Sequence, residues 1–372
     1  MNRSLDALIQ RDCNNFGVVR LFAATAVIVS HAFILSRRSE LADPLASLTS
    51  FSLGGHAVNA FFLLSGFLIA ASWDRQPNLI HFLCGRYLRI FPALIVVTIT
   101  TIAIAAVAQN QLSLQAFLTS WETISLFLRA VVALDGGGTL PGIFVENPDE
   151  RYVLATVWTI RYEVICYLTI PLVSALGIYF GGSKKIVGVI LALSAIVLII
   201  RSNQNAGLLV DHFARFFFAF YIGVASWMFR KHLSVSFLRT AFAISASFLL
   251  LGTPVSPVTE ILAVACLTFW IGSVDFGWFG KLTNREDLSY GIYLLGFPIQ
   301  QMWLVLWSGP YPVLMNVILT LLTVSPLAFL SWRLIERPAL NHRSSLQKLL
   351  VSMQRKAVGD VASGMNFNRS SH

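Results

Sequence analysis

Long apolar runs, each close to the length of a bilayer-spanning helix, recur along most of the chain. They fall near 17–35, 56–73, 90–108, 153–178, 186–200, 211–229, 238–252, 257–274, 288–307 and 313–335, with short polar connections between most of them. At a rise of about 1.5 Å per residue, about 20 residues cross a hydrocarbon core ~30 Å thick. The pattern predicts an all-α, polytopic transmembrane helix bundle of about ten helices. The one long connection, roughly 109–152, contains an amphipathic stretch from Leu112 to Leu134 that reads as a re-entrant or surface helix. Neither reading changes the parity of the spans.

Polar positions inside the runs are the informative ones, because an ionisable group in hydrocarbon is costly and usually faces a protein-lined cavity. The first run, GVVRLFAATAVIVSHAFIL, holds Arg20 and His31. Their spacing is about three helical turns, which puts them on roughly one face, about 16 Å apart along the axis. The fourth run opens VWTIRYEVICYL and brings Trp158, Arg161 and Glu163; the sixth, DHFARFFFAFYIG, brings Arg215. Helices 1 and 4 run in opposite directions, so Glu163 and His31 are expected at comparable depth. A carboxylate there can orient the imidazole and stabilise its protonated form. The alternative is that Arg161 and Glu163 simply neutralise each other.

Composition supports the membrane reading and removes others. Of 372 residues, 56% are hydrophobic and only 12% charged, well outside the range of soluble globular chains. The net charge of +9 reflects basic loops facing anionic lipid rather than nucleic acid. Most of the Lys and Arg residues fall in the N-terminus, the even-numbered loops and the C-terminus, which predicts both termini in the cytoplasm. Cys13, Cys84, Cys166 and Cys266 have no paired spacing, so neither a disulfide framework nor a metal site is expected. The first run follows a mixed-charge segment without a small-residue cleavage pattern and reads as a retained helix. The expected organisation is a cytoplasmic N-terminus at 1–16, a membrane domain at 17–340 and a basic, disordered tail at 341–372.

Three shorter patterns add candidate chemistry. The small pair Ser65 and Gly66 in NAFFLLSGFLIA permits close approach of either a neighbouring helix or a ligand. Arg86 and Arg89 at the mouth of the third run are positive-inside anchors or, at i and i+3 on one face, a phosphate grip. The segment LSYGIYLLGFPIQ places Ser289, Tyr290 and Tyr293 near the cytoplasmic side, with Pro298 as a kink.

Taken in order, these elements resemble the acyltransferase-3 family of bacterial membrane O-acyltransferases, over about Phe16 to Leu340. The resemblance rests on Arg20 and His31 as an Arg-x10-His spacing, FFLLSGFL at Phe61 to Leu68, Arg86-x-x-Arg89-x-x-Pro92, Trp158 to Glu163, Ser289 to Leu294, and Glu336 to Pro338. Many members carry a histidine two residues after Tyr-Leu where this chain has Gly296, and some append an extracytoplasmic hydrolase-like domain that is not expected here.

The resemblance implies a multi-pass enzyme of the bacterial inner membrane. It would move an acyl group, most often acetyl, from cytoplasmic acyl-CoA to a hydroxyl of a glycan or lipid-linked saccharide, with membrane lipid as its surroundings and no permanently bound cofactor or metal. On that reading His31 is the general base and Glu163 its orienting partner. Arg20, Arg86, Arg89, Ser65 and Tyr293 take the donor, with Ser65 either aiding the oxyanion or packing a helix, and Trp158, Arg161 and Arg215 meet the acceptor. A proton-coupled transporter using the same intramembrane His, Glu and Arg is the competing reading. Acyl-CoA binding separates the two.

Overall fold

In the computed structural model, residues 3–10, 14–37, 39, 42–148, 152–179, 182–202, 209–307 and 312–352 are described. After the strand β1 (Arg3–Ser4) and the short α1 (Leu5–Gln10), the bundle begins with α2 (Phe16–Arg37), α3 (Leu53–Arg75) and α4 (Leu79–Ala108). The long connection holds α5 (Leu114–Thr119) and α6 (Trp121–Val131). A 3-10 turn, Ala155–Val157, then leads into α7 (Trp158–Tyr179), α8 (Ser183–Arg201) and α9 (Leu209–Met228). A two-residue β2 (Ser234–Val235) pairs antiparallel with β1. The chain continues through α10 (Phe237–Leu249), α11 (Ser256–Ser273), α12 (Gly277–Arg285), α13 (Ser289–Leu306), α14 (Val313–Ser331), a π turn at Trp332–Glu336 and α15 (Arg337–Asn341).

Each of the ten predicted runs corresponds to a helix, and eight of the described helices are long and apolar enough to span a bilayer unaided. The two that fall short do so for visible reasons. At 13 residues, α10 covers only about 20 Å of a ~30 Å core. The 18-residue α13 carries Gln300 and Gln301 in its second half. The protein is thus an all-α, multi-pass membrane bundle. The expected amphipathic stretch is two short helices, each started by a serine side chain accepting a backbone N–H: Ser113 from Ala116 and Ser120 from Thr123.

Backbone contact between α3 and α9 sets the centre of the bundle. A Cβ on Gly66 would lie 1.9 Å from the Phe220 carbonyl oxygen, and one on Gly223 would lie 2.0 Å from that of Leu63. Only glycine permits this reciprocal approach, the membrane equivalent of small-residue helix packing. Gly66 is therefore a packing residue, while its neighbour Ser65 turns to a cavity. Gly296 meets α2 in the same way, because a Cβ there would stand 2.9 Å from Ile28 Cγ1. A histidine here, the residue the family resemblance leads one to expect, would collide with Ile28 one turn before His31.

The cytoplasmic tail expected from 341 onward begins as helix, with residues 343–352 helical. Arg343 donates to the His81 carbonyl at 3.0 Å, and His81 Nδ1 lies 2.8 Å from Gln347 Oε1, which ties this segment to the start of α4. The rest of the predicted tail, 353–372, lies outside the described residues.

Candidate active site

Two cavities lie end to end inside the bundle. The larger, about 460 Å³, is walled by α2, α3, α4, α7, α13 and the segment after α14, and its lining includes Arg20, Arg75, Arg86, Arg89, Glu163 and Arg343. The smaller, about 140 Å³, includes His31, Ser30, Trp158 and Arg215. Val58, Thr159 and Tyr293 line both. These three side chains form the shared wall.

Four charges at or beside the larger cavity, Arg20, Arg89, Asp287 and Glu336, are bound to one another. Asp287, in the turn before α13, accepts from Arg89 Nη2 at 2.6 Å and from the Ser289 hydroxyl at 2.6 Å, and pairs with Arg20 Nη2 at 3.3 Å. Burial alone would raise its carboxyl. Arg20, Arg89 and the Ser289 contacts outweigh that and hold it well below the usual carboxylate range. Arg89 also reaches Glu336 at 3.4 Å and lies over the rings of Tyr290 and Trp332. Glu336 is presented by the π turn, whose extra residue per turn re-aims this stretch of backbone inward, and it accepts from Ser331 Oγ at 3.0 Å. Arg89 is thus the hub of an internal ion network rather than a free phosphate grip.

Arg86, one turn earlier on α4, is different. Its guanidinium lies over Phe82 and Tyr167, at 5.9 and 5.8 Å from the ring centres, and its buried Nε has no hydrogen-bond partner among the described residues. The same holds for Arg20 Nε. Buried, unmatched guanidinium N–H groups are expensive and point to a ligand that accepts from them.

Glu163 faces this larger cavity, not His31. Its carboxylate accepts from Tyr167 and from Ser65 Oγ at 3.1 Å, and Ser65 lies 2.9 Å from the Tyr167 hydroxyl. The expected Glu163–His31 pair is therefore not formed: comparable depth along two helices did not bring the side chains to a common space. The alternative Arg161–Glu163 pair is also not formed. Arg161 Nε donates to the Ala133 carbonyl at 3.2 Å, and Arg161 lines neither of these two cavities.

In the smaller chamber the histidine stands nearly alone. Its ring meets Phe297 edge to face at 5.0 Å, and Nδ1 is buried without a hydrogen-bond partner among the described residues. Arg215 enters the same chamber, with Nε donating to Asn59 Oδ1 at 2.8 Å and Nη2 to the Gly55 carbonyl at 2.6 Å, and with Phe51 4.3 Å from its guanidinium carbon. Trp158 packs on His212 and Phe216.

Three acids brace these cavities without having been singled out from sequence. Besides Asp287, Asp43 is 1% exposed and accepts from Ser30 Oγ at 2.5 Å, Leu53 N at 2.8 Å and Leu45 N at 2.9 Å, fixing the loop that closes the His31 chamber. Glu260 binds Ser50 and lies 3.6 Å from His56 Nε2. Asp287 adjoins the Ser-Tyr stretch and had that local signal. Asp43 and Glu260 had none, since their partners lie on other elements.

The acyltransferase domain profile of the acyltransferase 3 family matches residues 14–333, most of the chain. This chain belongs to that family. The acyltransferase 3 assignment makes the protein a membrane acyltransferase and decides against the transporter reading. Among its relatives, the "O-acetyl transferase" of Shigella phage Sf6 is 27% identical over 342 residues, covering 89% of this chain and 97% of the relative. "Nodulation protein 10" of Rhizobium leguminosarum bv. viciae is 29% identical over 364 residues, covering 90% and 95%. No solved structure matches significantly.

Proposed function

We propose that this acyltransferase moves an acetyl group from cytoplasmic acetyl-CoA to a hydroxyl of a glycan or lipid-linked saccharide at the bacterial inner membrane, with both termini in the cytoplasm. The observation that carries the reading is the pair of cavities meeting at one thin wall, with five arginines lining one side and His31, beside Arg215, on the other. The O-acetyl transferase name of the phage relative supports acetyl as the group and oxygen as the acceptor atom.

The donor belongs in the larger cavity. Arg86, with Arg75 and Arg343 beside it at the same cavity, suits the CoA phosphates through charge-assisted hydrogen bonds. Arg20 and Arg89, already paired with Asp287 and Glu336, hold the walls apart and keep the passage polar for the pantetheine arm. Glu163, through Tyr167 and Ser65, positions the ring on which Arg86 rests. The acceptor enters the smaller chamber between Trp158 and Arg215.

His31 then takes the proton of the acceptor hydroxyl as its oxygen bonds to the thioester carbon. Collapse of the tetrahedral intermediate breaks the C–S bond, and the imidazolium returns the proton to the departing thiolate, giving the ester and CoA thiol. General-base assistance of this kind contributes about 10² to 10⁴ in rate. Comparing glycan masses from cells with and without the gene tests the overall function. A gained acetyl mass is expected, and identical glycans, with no acetyl-CoA binding by the purified protein in detergent, would overturn it.

A further inference from the structure

If the donor occupies one cavity and the base the other, the thioester carbon must react at the wall between them. The polar groups shared by both cavities are Thr159 and Tyr293, with Val58 as the apolar third. Thr159 sits in the first turn of α7 and Tyr293 in the second turn of α13, and both are buried. Their hydroxyl oxygens are 2.7 Å apart. The Thr156 carbonyl accepts from either one, lying 3.1 Å from Thr159 Oγ1 and 3.2 Å from Tyr293 Oη.

This arrangement has one proton more than it needs. Two hydroxyls share one carbonyl acceptor, and one donor suffices to satisfy Thr156. With Thr159 donating to Thr156, the Tyr293 proton can turn to another oxygen without leaving any buried backbone group unmatched. With the phenol oxygen already held in place, the donor reaches a new acceptor by rotating one O–H bond, which keeps reorganisation small, as an oxyanion site requires. Ser65, considered from sequence for that task, is engaged with Glu163 and Tyr167 inside the larger cavity.

We propose that Tyr293 is the oxyanion donor of the transfer, giving a hydrogen bond to the thioester carbonyl oxygen as the acceptor attacks, with Thr159 holding its hydroxyl in place. The assignment rests on the two-cavity reading above. Phe61 packs edge to face on the Tyr293 ring at 5.5 Å and helps to hold it at the wall.

The test compares wild type, Tyr293→Phe and His31→Ala in detergent. Tyr293→Phe should lower kcat by about 10² to 10³, the usual loss for one oxyanion donor, while KM for acetyl-CoA is unchanged. In parallel, a non-reactive acetyl-CoA analogue with methylene in place of sulfur and a ¹³C-labelled carbonyl reports the hydrogen bond directly. Its carbonyl stretch should fall in frequency on binding to wild type and to His31→Ala, and should not fall in Tyr293→Phe.

A Tyr293→Phe enzyme with wild-type kcat, a loss confined to KM, or a stretch that is the same with and without the hydroxyl overturns the proposal. Failure of the analogue to bind wild type instead sinks the donor reading beneath it, and transfer by His31→Ala at the wild-type rate sinks the base. Should Tyr293→Phe not fold, 3-fluorotyrosine at 293 keeps the hydroxyl and makes it a stronger donor. The stretch should then fall further, and an unchanged stretch counts against the role.

Discussion

The two cavities solve opposite electrostatic problems in the same bundle. In the larger one, four charges from four segments, Arg20, Arg89, Asp287 and Glu336, are bound into one network, and Arg86 stands beside it with an unmatched N–H. In the smaller one, Arg215 is held by neutral oxygens from Asn59 and Gly55, and His31 has a phenylalanine edge for a neighbour. On the proposed function the larger room admits the CoA polyanion and so needs cations, and cations buried together need carboxylates to keep them from repelling one another. On the same proposal the smaller room holds a base, which needs an unencumbered ring nitrogen, and its fixed cation, Arg215, is satisfied by neutral oxygens. The wall of Val58, Thr159 and Tyr293 keeps the two environments distinct.

The comparison breaks most sharply at His31. His31→Ala should cost about 10² to 10⁴ in transfer rate and leave acetyl-CoA affinity unchanged by calorimetry, because it removes a base and no donor contact. Near-normal turnover would mean that the smaller chamber is not where chemistry happens. The network is the next largest lever. Asp287→Ala leaves Arg20 without a carboxylate and Arg89 with Glu336 alone, and should destabilise the protein by about 3–5 kcal/mol, read as a fall in melting temperature in detergent.

Arg86 and Arg89 separate donor binding from architecture. Arg86→Ala should weaken acetyl-CoA binding by about 1.5–3 kcal/mol, the worth of hydrogen bonds to a charged group, with little change in melting temperature. Arg89→Ala should do the opposite, chiefly lowering stability. Equal effects of the two on affinity would merge them into one phosphate site and undo the distinction drawn from the network. Smallest of all, Gly66→Ala should cost about 1–3 kcal/mol of stability through forced separation of α3 and α9, without a specific effect on donor affinity. A selective loss of acetyl-CoA binding in that variant would make the Ser65–Gly66 pair part of the donor site after all.

How much of the site could be read in advance depended on whether the partner was local. Arg20 and His31 share one helix, so their face and separation followed from helical geometry alone. Arg86 and Arg89 lie at one cavity, as their i, i+3 spacing predicts, yet the two differ in pairing because Asp287 and Glu336 arrive from elsewhere in the chain to meet Arg89. Glu163 was assigned the correct helix and the wrong partner. Its depth was readable; the direction of its side chain was not.

Hydropathy, spacing and charge bias by themselves determined the all-α membrane class, the number and order of the apolar helices, and the residues costly enough in hydrocarbon to demand a cavity. Those properties are set by local composition and by a helical period that does not depend on neighbours. The tertiary structure alone decided which costly residues meet. A helix that is apolar nearly all round carries no stripe to fix its rotation. In α3 the lateral fit is fixed instead by Gly66, which touches the α9 backbone at Phe220 while Gly223 of α9 touches Leu63. Together with the other helix contacts, that fit turns Ser65 and Glu163 into one cavity, His31 into another, and leaves Thr159 and Tyr293 between them.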